Sequence, residues 1–173
     1  MEVRINNISR EKQLKEIIKF AKEGRNKNFD IPDIEKYYKD NNIILFDKAK
    51  EYFKEYNGIM EIVYLSFEDD ENAYYDFNFR LLYPDAYLKL QDVILEEDYG
   101  CDDIQEYAGE ECIIVGFVGY YYPGILAIGK SGSLYIHHYD YSDEILKFNS
   151  MMELLDYEIP KRNILKIRDK QQF

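Results

Sequence analysis

Carboxylates are the first groups in this sequence with chemistry to offer, because they gather in two runs. Glu68, Asp69, Asp70 and Glu71 are consecutive, and Glu96, Glu97 and Asp98 are followed, across Tyr99, by Asp102 and Asp103. So many oxygen ligands could chelate calcium, but a calcium loop needs ligands at alternating positions and a glycine at its sharp turn. Neither run has that spacing. Two carboxylates at the right separation could also hydrolyse a glycosidic bond. With 34 Asp and Glu side chains in 173 residues, such a pair arises by chance. The remaining use is recognition of a basic surface. Acids flanking an aromatic, as they flank Tyr99, have the make-up of a protein-binding patch with a ring at its centre and charge at its rim.

The other reactive side chains lead to less. His137 and His138 are the only histidines and Asp140 follows them. Adjacent residues of a strand point to opposite faces, so the two imidazoles cannot readily share a metal ion. One packed and one exposed histidine is the plain expectation. Cys101 and Cys112 are too few for a disulfide framework and are not spaced as a metal or redox pair, so they read as free thiols. Gly129-Lys130-Ser131-Gly132 is too short to cradle a phosphate, and no nucleophile elbow is present. Neither a metal nor a cofactor is expected.

Charge and composition narrow the class of partner. The net charge is −12, and its distribution is lopsided. Residues 61–112 hold 16 acidic side chains against only Arg80 and Lys89, while the segments on either side are close to neutral. Charge packed this densely repels itself and weakens the folded state. A nucleic-acid ligand is disfavoured, since phosphates need positive potential. A basic protein is the natural complement. No apolar run approaches the ~20 residues of a membrane span, and the first residues have no apolar signal segment behind them. The protein is therefore expected to stay in the cytoplasm, away from membranes. Hydrophobic residues make up 46% of the chain, enough for a core, and 18 tyrosines offer rings with a polar handle for core edges and binding surfaces.

The elements that must position these groups follow from periodicity. Ser9 caps a first helix whose Leu14, Ile17, Ile18 and Ala21 share a face, with Gly24 as its stop. Pro32 fits the first turn of a second helix, with Asp30 or Asp33 helping its start and Ile34, Tyr37 and Tyr38 on its apolar side. A third carries Phe46, Ala49, Tyr52, Phe53 and Tyr56 and ends at Asn57-Gly58. The period then changes from 3.6 to 2. Ile59–Phe67 and Ala73–Leu82 read as a hairpin around a charged turn, Glu68 to Asn72. Pro84 opens another helical stretch with Tyr87, Leu90, Gln91 and Ile94. Cys112–Val118, Ile125–Ile128 and Ser133–Tyr139 read as strands separated by the tyrosine-rich turn 119–124 and by the glycine turn 129–132. Ser142 or Asp143 caps a last helix, near 143–155, carrying Ile145, Leu146, Phe148, Met152 and Leu155. The basic tail 161–173 adds a strand or stays loose. Helices, then closely spaced strands, then a helix specify a single α+β domain with a mostly antiparallel sheet.

Three of these stretches together resemble the SUKH superfamily, in particular its third family of bacterial immunity proteins. They are Asp47 to Ile59, a helix ending in a glycine before the first strand; Leu81-Leu82-Tyr83-Pro84-Asp85-Ala86, leading to a helix and an acidic connector; and Val115-Gly116 with Gly124 to Tyr135, a strand–turn–strand around Ile128-Gly129, Gly132 and Leu134-Tyr135. The resemblance covers about residues 32–157. Where the family pattern has a glycine pair before the first strand, this chain has Asn57-Gly58.

That resemblance implies a role without catalytic residues. Such proteins bind and neutralise a cognate toxin, often a nuclease or another nucleic-acid-modifying enzyme, in the cell that makes it. On this reading Glu96, Glu97, Asp98, Tyr99, Asp102 and Asp103, with Glu68, Asp69, Asp70 and Glu71, are the partner-binding candidates. The rival expectations are a regulatory protein-binding scaffold of the same fold and an acidic hydrolase with a carboxylate pair.

Overall fold

The computed structural model describes residues 1–23, 30–56, 59–81, 101–138 and 142–169. The described N-terminal half holds three helices: α1 (Arg10–Glu23), α2 (Ile31–Asp40) and α3 (Asp47–Tyr56). Ser9 caps α1, its Oγ accepting from the Lys12 N–H at 3.4 Å. Leu14, Ile17, Phe20 and Ala21 recur at helical spacing and are buried. Buried Gln13 on the same face ties three segments together, its Nε2 donating to Ile5 O, Asn163 Oδ1 and Ile164 O at 3.1, 3.1 and 2.9 Å. Pro32 lies in the first turn of α2, and Ile34 and Tyr38 are its buried side.

Among the described residues eight strands form one sheet, antiparallel throughout. They are β1 (Glu2–Arg4), β2 (Met60–Phe67), β3 (Asp70–Leu81), β4 (Cys112–Tyr120), β5 (Gly124–Gly129), β6 (Leu134–His138), β7 (Glu144–Phe148) and β8 (Ile164–Arg168), in the spatial order β1-β8-β2-β3-β4-β5-β6-β7. From β2 to β7 the chain runs as a meander, and β8 returns to slot between β1 and β2. Among the described residues two more helices follow: α4 (Cys101–Ala108) and α5 (Met151–Glu158). The architecture is the single α+β domain with an antiparallel sheet and a C-terminal helix that the sequence specifies.

Both faces of the central strands are covered. Every residue of β5, and all of β4 except Phe117 and Tyr120, is buried. Alternation along β6 tells the faces apart. His138 reaches Glu158 at the end of α5, while the Tyr135 ring meets Tyr107 of α4, so these helices lie on opposite faces. On the α5 side, the rings of Phe77 and Phe79 are fully buried and stack 6.3 Å apart. Side chains of this size contribute about 1.5–3 kcal/mol each on burial. The core also draws on Leu14, Ile17, Ile164 and Ile167, so residues on both sides of 32–157 belong to it.

Three expectations need correction. The helix expected near 143–155 is split: Glu144–Phe148 is β7, paired with β6, and the helix begins only at Met151. The cap is Ser150, whose Oγ accepts from the Glu153 N–H at 3.2 Å. Asp143 instead takes a left-handed turn conformation, φ 48°, that lets β7 double back on β6. Secondly, the charged turn is only two residues long. Phe67 pairs with Asp70, so Glu68 and Asp69 form the turn while Asp70 and Glu71 already belong to β3. Thirdly, His138 is not exposed: its side chain retains 14% of its surface. Of the tail, Ile164–Arg168 is a strand. The stretch following Pro84 lies outside the described residues.

Candidate partner-binding surface

The acidic middle of the chain resolves into two groups at opposite ends of the sheet. Asp102 and Asp103 occupy the first turn of α4 and are exposed. Acids there are favoured by the partial positive charge of a helix start, so these two also stabilise the helix that carries them. Helical spacing brings Glu106 and Tyr107, three and four residues after Asp103, onto the same side. Both are exposed, Tyr107 by 55%. Ile104, fully buried, anchors the opposite side of α4 to the sheet. The outer face of α4 is thus an aromatic ring among three carboxylates, with no basic residue in the helix. Glu96, Glu97, Asp98 and Tyr99 lie outside the described residues. Sequence reasoning missed Glu106 and Tyr107; the signal was the spacing of Cys101, Ile104 and Ala108, a one-sided apolar stripe two turns long.

Glu68, Asp69, Asp70 and Glu71 sit at the far end. The start of β3 lies beyond Tyr120, the last residue of β4, whereas α4 meets Cys112, the first. Three of these four acids are engaged within the chain. Arg162 donates from Nε and Nη2 to Asp69 at 2.7–3.1 Å, Asn163 donates to Glu68, and the Tyr75 hydroxyl donates to Asp70. The hydrogen bond from Arg162 holds Asp69 below the usual carboxylate range.

A glycine turn fixes the α4 end. Glu110 Oε1 accepts from Ser131 Oγ at 2.7 Å and from the Tyr135 hydroxyl at 2.8 Å, and its Oε2 accepts from the Ser131 N–H at 2.6 Å. Burial works against the charged form, yet these hydrogen bonds keep the Glu110 carboxyl below its ordinary range. The carboxylate stands where a side chain on residue 129 would go: a Cβ on Gly129 would lie 2.4 Å from Glu110 Oε1. Gly129, Ser131 and Tyr135 therefore serve the packing of this end.

The histidines and thiols each have partners within the fold. His137 Nε2 lies 3.1 Å from Asp143 Oδ1 and His138 Nε2 lies 2.8 Å from Glu158 Oε1, on opposite faces of β6. The hydrogen bond with Glu158 raises the His138 pKa above its ordinary value, against the effect of burial. Cys101 and Cys112 are free thiols. Burial pushes them up to about 11 and about 12, far from the thiolate that a nucleophile or metal ligand requires. Among the described residues no three His, Cys, Asp or Glu side chains are grouped to hold a metal ion, and no helix is long and apolar enough to cross a membrane. Comparison with protein-family models, curated proteins and solved structures finds no match to this chain.

Proposed function

We propose that this protein is a stoichiometric antagonist of a basic protein toxin. In this reading it is an immunity protein of the SUKH type that works in the cytoplasm of the toxin's producer and performs no chemistry. The observation that carries the reading is the outer face of α4, where exposed Tyr107 stands among Asp102, Asp103 and Glu106 in a chain of net charge −12. An aromatic anchor ringed by carboxylates suits the face with which a nuclease binds its polyanionic substrate. The acidic field would speed capture, and the ring would hold the complex closed over the active or substrate-binding surface.

The test is to purify this protein from its native host with whatever binds it, and to measure binding and neutralisation of that partner. A 1:1 complex that abolishes toxin activity is the expected outcome. Asp102→Asn/Asp103→Asn/Glu106→Gln should slow association and flatten its dependence on salt, since exposed charges are screened over ~8 Å at physiological ionic strength. Tyr107→Ala should chiefly speed dissociation, by a factor of about 30 for a loss of about 2 kcal/mol. A triple variant that associates as fast as the parent at low salt, and protects cells as well, would rule out this face.

A further inference from the structure

At the end of the sheet away from α4, the β4–β5 turn, the start of β7 and the end of α5 enclose a cleft of about 430 Å³. Tyr120, Tyr121 and Tyr122 line it along the turn, together with Tyr157 of α5. Three of these rings are strongly exposed: Tyr121 by 52%, Tyr122 by 65% and Tyr157 by 56%. Solvent-facing aromatics gathered around one concavity mark a binding site more often than a bare surface. Tyr121 holds a left-handed backbone, φ 64°, where glycine would sit without strain.

Deeper in the cleft are the carboxylate of Glu158, whose side chain is 7% exposed, and the His138 ring bonded to it. Bare backbone makes room for them. A Cβ on Gly119 would lie 2.8 Å from Tyr122 O and 3.4 Å from Glu158 Oε2, and one on Gly124 would lie 3.0 Å from His138 Nδ1 and 2.9 Å from His137 O. Glu144 adds a second, exposed carboxylate, and among the described residues no Lys or Arg lines the site.

We propose that this cleft is a receptor for a guanidinium group, the side chain of an arginine presented by a partner protein. Tyrosine faces attract a cation, and a planar guanidinium stacks on them while its N–H fork points at carboxylates, which an ammonium cannot match. The chain already contains such a site. Arg162 lies over the rings of Phe67 and Tyr75, 4.2 and 5.3 Å from their centroids, with its fork on Asp69. Tyr75 in turn packs against Tyr120 and Tyr121, the first rings of the cleft. One aromatic row thus carries an internal guanidinium at one end and an open acidic cleft at the other. The proposal concerns a contact separate from α4 and stands whether or not the partner is a toxin.

The test uses the intact protein with ¹³C-labelled tyrosine and histidine, titrated with acetyl-Gly-Arg-Gly-amide and with the citrulline peptide, its neutral isostere. The arginine peptide is expected to shift the ring signals of Tyr121, Tyr122, Tyr157 and His138 saturably, with a millimolar Kd, and the citrulline peptide to bind at least tenfold more weakly. Glu158→Gln should abolish the difference between the two peptides. Because Glu158 is buried and its variant can fail to fold, Glu144→Gln and Tyr122→Ala, both at exposed positions, are tested beside it. Each should weaken arginine binding severalfold while leaving the citrulline peptide unaffected or, for Tyr122→Ala, weaker too. Equal shifts with both peptides, arginine-specific shifts confined to Tyr107, or no saturable shift at the four cleft rings would overturn the proposal. Shifts confined to Tyr107 would move arginine recognition to the α4 face, and the other outcomes leave toxin binding by α4 untouched, so the two readings fail separately.

Discussion

Replacing Gly129 by alanine should unfold the protein at lower urea for a reason that lies in another residue. The new Cβ would sit 2.4 Å from Glu110 Oε1, 2.7 Å from its Cδ and 2.9 Å from Tyr135 Cε2. Moving the carboxylate out to an ordinary contact breaks the three hydrogen bonds it accepts from Ser131 and Tyr135. The two bonds from exposed Ser131 are worth about 0.5 kcal/mol each, and the buried Tyr135 hydroxyl, left without its partner, costs about 1–2 kcal/mol. Gly129 lies in ordinary extended backbone, so alanine there returns about 0.5 kcal/mol by restricting the unfolded chain. The net cost is about 2 kcal/mol. Glu110→Ala loses the same bonds and should cost a similar amount. In Gly129→Ala/Glu110→Ala the carboxylate that clashed is absent and only the 2.9 Å approach to Tyr135 Cε2 remains, so the double variant should cost clearly less than the sum of the two single variants. Urea unfolding followed by circular dichroism gives all four stabilities, provided the m-values agree. Additive costs, or a Gly129→Ala variant as stable as the parent, would refute the claim that this glycine exists to admit Glu110.

Three further outcomes are expected. Because Glu158 raises the folded pKa of His138, that pair stabilises the protein fully below about pH 6.5, the ordinary histidine value, and the contribution is lost as pH rises through the raised value; Glu144 on β7, Tyr157 and the tyrosines of the β4–β5 turn face the same space. His138→Gln should flatten stability against pH across that window, and an unchanged slope in urea midpoints would assign the titration elsewhere. With their pKa values pushed up by burial, Cys101 and Cys112 should react with a disulfide reagent at neutral pH far more slowly than a free thiol peptide, and only at the exposed rate once denatured. Ser150→Ala, which removes the side-chain acceptor for the Glu153 N–H, should cost about 1 kcal/mol, measured by thermal unfolding, whereas Ser142→Ala should cost little.

How far the sequence could be read depended on how much of each element's cause is local. α1 was legible because Ser9 caps it and its apolar residues recur over four turns. The β2–β3 hairpin and strands β4 to β6 were legible from their alternation and glycine turns. β7 was not: Ile145, Leu146 and Phe148 fit a helix as well as a strand, Ser142 and Asp143 mimic a cap, and only pairing with β6 decides. β1 has three residues, too few for any period, and it exists because β8 supplies its partner. At the candidate sites, Asp102 and Asp103 stood out by charge, while Tyr107 joined them through one turn of a helix too short to announce itself. The tyrosine cleft needed more still. Its turn was visible, but the meeting of His138 with Glu158, twenty residues on, depends on β7 folding back and α5 returning across the sheet.

The position of β8 has a consequence for how the protein comes into being. On the ribosome, β2 and its hairpin partner are complete long before β8 emerges, and until then the outer edge of β2 offers unpaired N–H and C=O groups to any other extended chain. β1, made before β2, lacks a strand partner in that interval, since among the described residues it pairs only with β8. Closure of this side is therefore the most non-local step in the topology, and pairings of that kind are slow. A nascent chain stalled before residue 164 carries a finished meander whose β2 flank is open and adhesive. The segment that cures this liability is the same one that ties β1 into the sheet.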